Sequence, residues 1–287
     1  MGTLRTPGLY FLLLLATSAY AFGRDFPQAF EVTDPLYGTE AGGGTLLPRT
    51  HAEITYNNHL FMSGKDDSFN VSGMASFTLL DLDSVFALNL YWGTYLLVGP
   101  IAADETPATV AEWWMNALQF EYGIVSAWNF SGTHLSLEYA RTSQHPWRPA
   151  FSQVTTDALR VGVTRGGLRS GNFSFDFRIT AGYIDLFDFW QSSVPKPRTQ
   201  WVASPAIRTV YRLIPGLSLF GKLQLDALVL REGGHDADMW AEVGIEAGRG
   251  AGRLQFYLDY YHSNDSEGLE QGPSPATLFG LGFRLYG

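Results

Sequence analysis

The sequence predicts an all-β fold, a transmembrane antiparallel up-and-down β-barrel of about 12 strands covering residues 50–287. Three observations predict it. From about His51 onward, apolar and polar residues alternate in runs of roughly ten, which is the period of a strand rather than a helix. The connections between runs alternate tight and long. Charges gather in the polar row, while the apolar row carries almost none at mid-height. The composition agrees, with 16% charged and 15% aromatic residues against a charged fraction of ~25% in ordinary soluble domains.

The chain begins with one cation, Arg5, an apolar stretch from Leu9 to Ala16, and Ala19-Tyr20-Ala21. This is the pattern of a secretory signal, so residues 1–21 are expected to be an export signal cleaved after Ala21. The apolar stretch is too short to cross ~30 Å of hydrocarbon as a helix. Residues 22–49, with Gly42-Gly43-Gly44, have no clear period and are expected to be a periplasmic leader or a segment folded into the lumen.

The strands are predicted at about 50–63, 68–80, 84–98, 116–128, 133–143, 153–165, 171–184, 201–214, 217–231, 238–249, 253–264 and 277–287. The ninth shows the logic most clearly. Leu217, Leu219, Leu223, Leu225 and Val229 form one row, and Ser218, Lys222, Gln224 and Asp226 form the other. The seventh opposes Phe173, Phe175, Phe177 and Ile179 to Ser174, Asp176, Arg178 and Thr180. Tight connections are expected at Asp81-Leu82-Asp83, Asn129–Gly132, Gly166–Ser170, Pro215-Gly216 and Gly250–Gly252. Long ones are expected at Gly99–Met115, Thr142–Ser152, Asp185–Gln200, Glu232–Ala237 and Asp265–Ala276. Short turns on one side and long loops on the other are what a membrane barrel has, and an even strand count returns both ends to the short-turn side. Trp92, Trp113, Trp114, Trp147, Trp190, Trp201 and Trp240 all fall near the long connections, and Trp128 falls near a short turn. Aromatic residues collect at membrane interfaces in this way.

Several functional classes are excluded. With no Cys there is no disulfide scaffold, thiolate metal site or Cys nucleophile. A net charge of -9 with only 19 Lys and Arg leaves no basic patch for nucleic acid. No sequence feature implies a cofactor.

The alternation over residues 50–287 resembles the Gram-negative outer-membrane β-barrels. The final segment, Phe279-Gly280-Leu281-Gly282-Phe283-Arg284-Leu285-Tyr286-Gly287, is similar to the C-terminal strand that such proteins present to the barrel-assembly machinery, except that Gly287 follows the terminal aromatic. The resemblance implies residence in the outer membrane, with lipid and that machinery as partners. Twelve strands is the size of nucleoside-type channels, some oligosaccharide channels and the outer-membrane phospholipase.

Candidate functional residues fall into four groups. The polar row places Glu53, Glu121, Glu138, Asp176, Asp226, Glu242, Glu246 and Asp259 with Arg160, Arg178, Arg208, Arg212, Lys222, Arg253 and Arg284 toward the lumen. Such a mixed set either binds polar solutes through charge-assisted hydrogen bonds or cross-pairs and closes the lumen. Tyr91, Tyr95, Tyr257 and Tyr261 are expected inside, where they stack on a solute or fill space. His262-Ser263-Asn264 resembles the His-x-Ser-Asn motif of outer-membrane phospholipase and lipid A deacylase, whose triads attack lipid esters. Here His and Ser are adjacent, so a regular strand sends them to opposite faces unless a bulge intervenes. Ser143 and His145 share one face of an extended segment, with no acid partner in view. Finally, Asp236, Asp238, Asp265 and Glu267 could gather in two outer loops as a hard-cation site. The expected function is a channel for passive passage of small polar solutes. A lipid hydrolase at His262 and Ser263, and a non-enzymatic surface or scaffold barrel with a plugged lumen, are the alternatives.

Overall fold

Twelve strands pair antiparallel in chain order and the last returns to the first, so the sheet has no free edge. They are β1 Thr50–Met62, β2 Ser68–Leu82, β3 Phe86–Pro100, β4 Trp113–Phe130, β5 Thr133–Pro146, β6 Val154–Ser170, β7 Phe173–Phe189, β8 Thr199–Ile214, β9 Leu217–Leu230, β10 His235–Arg249, β11 Gly252–Ser263 and β12 Ala276–Tyr286. This computed structural model describes residues 50–62, 68–82, 85–100, 113–146, 154–189, 199–231, 233–249, 252–263 and 276–287. The expected export signal and leader, residues 1–49, lie outside them.

The seam between β1 and β12 puts Thr55 opposite Arg284 and Tyr56 opposite Phe283. It is finished by paired bonds between Ala52 and Gly287, at 2.9 and 3.1 Å. Gly287 therefore completes the seam, and Tyr286 faces inward, 9% exposed.

Every predicted strand is present, and several run into the expected connections: β2 reaches Leu82, β4 starts at Trp113, β5 reaches Pro146, β7 reaches Phe189 and β10 starts at His235, because pairing with the neighbouring strand continues past the alternating core of each run. Gly166–Ser170 is not a turn but the end of β6, and the reversal lies at Gly171-Asn172. The pairing of β6 with β7 shifts between Arg165 and Leu168, a bulge that absorbs the glycine pair. The β4–β5 hairpin turns at Ser131-Gly132, both at positive φ (55° and 80°), the backbone of a type I′ turn. Asn129 Oδ1 accepts the Gly132 N–H at 2.8 Å and holds that turn. Pro205 lies inside β8, and the β8–β9 ladder has no pair between Ala203 and Ala206, as a residue without an N–H requires.

Burial is inverted relative to a water-soluble protein. Leu159, Val161, Ile179, Val243, Phe256 and Leu258 stand on the outer surface, each more than half exposed. The alternate residues, including Arg160, Arg178, Glu242 and Asp259, are buried inside. A continuous apolar exterior around a polar interior is what lipid requires and water forbids. Aromatic pairs edge this band. Phe86–Trp128 (5.4 Å) and Phe173–Tyr211 (4.6 Å) lie toward the short-turn end, and Tyr183–Trp201 (4.9 Å) lies toward the long-connection end. Trp240 departs from this pattern, because parity turns it inward, 8% exposed.

Val161→Arg is expected to cost ~2–4 kcal/mol in urea unfolding of the lipid-embedded barrel. The same change at an equally exposed position of a soluble protein stays within ~0.5 kcal/mol.

Candidate functional site

Inward parity brings the ionisable side chains of separate strands onto one wall, where they form two networks. The larger is centred on Arg284 of β12. Its guanidinium donates from both Nη atoms to Glu242 (2.7 and 2.9 Å), and Nε lies 2.9 Å from Glu53 Oε1. Such a bidentate fork suits guanidinium and not ammonium. The cation also stands over the Tyr257 ring, 4.8 Å from its centroid. Lys222 Nζ lies 3.4 Å from Glu242 Oε2, the oxygen that also accepts from Arg284 Nη1.

Gln255 carries this network toward the short-turn end. Its Oε1 accepts from Arg284 Nη1 (2.8 Å) and its Nε2 donates to Glu246 (2.8 Å). Glu246 also receives Tyr286 Oη (2.6 Å), Arg208 Nη2 (2.8 Å) and Arg253 Nη1 (3.0 Å). Arg208 leans back on Asp176 at 3.5 Å. One connected set thus runs from β7 to β12 and on to β1.

The second network lies on β3–β6. Tyr91 Oη donates toward Glu138 and lies 3.0 Å from Glu121, and Arg160 Nη1 meets the same two carboxylates at 3.0 and 3.6 Å. These groups are 2–7% exposed. An apolar layer of Val125, Ala140, Ala158, Ile184, Val202 and Leu228 follows the inner wall across β4–β9.

Of the expected lumen residues, Glu53, Glu121, Glu138, Arg160, Asp176, Arg208, Lys222, Glu242, Glu246, Arg253 and Arg284 join these networks. Arg178 is buried on β7. Asp226 accepts from Gln224 Nε2 at 3.0 Å. Asp259 accepts from Asn57 Nδ2 at 2.5 Å. Arg253 is 43% exposed and Arg212 is exposed, both close to short turns. Tyr91, Tyr95 and Tyr257 are buried inside, and Tyr261 packs on Trp240 at 5.3 Å. Asn57, Gln255 and Tyr286 join the site although charge alone did not mark them. Their parity, shared with the charged row, was the available signal.

The remaining candidates are dispersed. His262 Nδ1 pairs with Thr277 Oγ1 at 3.0 Å. The register runs without a bulge through His262 and Ser263, opposite Thr277 and Ala276, so the bulge that the hydrolase pair needs is not there. Asn264 lies outside the described residues. Ser143 Oγ lies 3.4 Å from Thr155 Oγ1, and nothing is described of the His145 side chain. Asp236 and Asp238 both lie in β10 rather than in a loop; Asp238 is buried, and Asp236 accepts from the Ala237 N–H. Asp265 and Glu267 lie outside the described residues. Among the described residues no three His, Asp or Glu side chains converge on a metal position.

Removing Arg284 leaves the buried Glu242 and the half-buried Glu53 without their main counter-charge. Arg284→Leu is expected to cost ~3–5 kcal/mol in urea unfolding. Combining it with Glu242→Gln is expected to cost less than the sum of the single changes.

No protein-family profile matches the sequence, and no curated protein does either. Solved structures do match in shape. An outer membrane channel from Pseudomonas putida F1 superposes with a TM-score of 0.55 at 12% identity, covering 86% of this chain and 99% of that one. The β domain of the Bordetella autotransporter BrkA gives 0.52 at 10% identity, covering 84% and 98%. The outer membrane phospholipase A of Escherichia coli gives 0.46 at 14% identity, covering 82% and 92%. The closed ladder, the inverted burial and the first two superpositions agree: the chain has the fold of the outer-membrane β-barrels.

Proposed function

We propose that this barrel is an outer-membrane channel for small polar solutes, with the salt-bridged side chains of its inner wall as the constriction. The observation that carries the reading is how those side chains pair. Glu138–Arg160, Asp176–Arg208 and Lys222–Glu242 are register neighbours on adjacent strands, and Arg208–Glu246 and Arg284–Glu242 span two strands. The charges are drawn back along the wall, where they present a lining of hydrogen-bonding groups. The larger network balances four carboxylates (Glu53, Asp176, Glu242, Glu246) with four cations (Arg208, Lys222, Arg253, Arg284), which favours neutral polar solutes over strong ion selectivity. The fold it shares with an outer membrane channel is consistent with this use. The reading includes export by residues 1–21, insertion by the barrel-assembly machinery and outer-membrane lipid around the apolar band.

A sealed scaffold barrel is the second reading. The near-complete burial of Glu121, Glu242, Gln255 and Asp259 favours it.

Planar-bilayer recording separates the two. The channel reading expects discrete conductance steps from the wild type. It expects larger steps from the charge-balanced double variant Arg208→Ser, Glu246→Ser, which shortens two side chains of the constriction without changing net charge. No steps from either protein would sink the channel and leave the scaffold.

A further inference from the structure

Outside the paired networks, one buried carboxylate lies directly against the larger of them. Asp259 sits beside Glu242 in register and is 3% exposed, and among the described residues it has no ion-pair partner. The four carboxylates and four cations of the larger network already balance, so Asp259 adds an unmatched negative charge to that wall. Its Oδ2 accepts from Asn57 Nδ2, which fixes the amide orientation, since a carboxylate oxygen only accepts. Asn57 Oδ1 and Asp259 Oδ1 are then both buried acceptors without any donor. Both oxygens converge over Gly280, where a Cβ would overlap each of them. Two desolvated acceptors facing one point are costly unless something positive stands between them.

We propose that Asn57 Oδ1 and Asp259 Oδ1 form a site for a single monovalent hard cation of the sodium or potassium class. Oxygen donors suit a hard cation, and water completes its shell. The charge is set by the surroundings. The local excess is one negative charge, and the nearby Arg284 and Lys222 disfavour a divalent ion. Gly280, without a Cβ, is what lets both oxygens come together at this point of the wall. The site lies on the inner wall and does not depend on whether the lumen conducts.

The test uses the purified full chain in detergent. Its thermal unfolding is followed in sodium, potassium or N-methyl-glucamine chloride at one ionic strength. The proposal expects a higher midpoint in sodium or potassium than in the bulky organic cation, since an ion that binds only the folded barrel stabilises it. It expects that difference to vanish in Asp259→Asn, which removes the charge at constant shape, and in Gly280→Ala, whose Cβ would push both oxygens apart. Equal midpoints for the wild type in all three salts would overturn it. So would a difference that persists in Asp259→Asn, or a stabilisation that follows pH and not the cation, which would assign a proton to the pair. Should the variants not fold, equilibrium dialysis of the wild type with radioactive sodium decides. About one ion per chain supports the site, and no uptake above empty micelles overturns it.

Discussion

The structure depends on one constraint: the backbone ladder must close on itself. In hydrocarbon no water satisfies an unpaired N–H or C=O, and each orphan costs several kcal/mol. Twelve strands meet this by pairing β1 with β12, from Glu53–Tyr286 to Met62–Leu278, with Ala52 and Gly287 completing the seam. Once the sheet is a cylinder, strand alternation allows only two faces. One row must suit lipid, and the other must be filled or wetted from within. The tight hairpins, the bulge in β6 and the gap at Pro205 are local adjustments to that closed ladder.

The interior then poses a problem that a soluble core does not have. The wall carries many carboxylates, and each must be matched where water is scarce. Arg does most of this work because its fork meets two oxygens at once and remains charged. Arg284 holds Glu242 and Glu53, Arg208 holds Glu246 and Asp176, and Arg160 holds Glu138 and Glu121. Gln255 joins the first two clusters because an amide both donates and accepts. The same arrangement lines a passage and ties non-adjacent strands together, so the functional and the stabilising roles of these residues coincide.

Much of this was legible in the sequence. Parity along Leu217–Leu230 and Phe173–Phe189 gave both the strands and the inward direction of Lys222, Asp176 and Arg178. Sequence reading failed where local chemistry imitates another element. Gly166-Gly167 reads as a turn, yet it forms a bulge within β6 because Gly171 supplies the reversal. Trp240 reads as part of an interfacial collar, yet parity puts it beside Glu242, with its Nε1 3.3 Å from that carboxylate. The pairings themselves were not legible. Arg284 meets Glu242 across an intervening strand, and that depends on the stagger between β10, β11 and β12, which no single strand encodes.

The most direct measurement is a cross-link across the closing seam. The chain has no Cys, so Tyr56→Cys with Phe283→Cys introduces one pair at directly opposed positions of β1 and β12. Opposed antiparallel residues lie within disulfide reach. In outer membranes under mild oxidation, the account expects a cross-link within one chain, formed as readily as the hairpin control Tyr56→Cys with Val71→Cys on β1 and β2. A control that cross-links while the seam pair stays reduced, or links only between chains, would contradict a closed barrel.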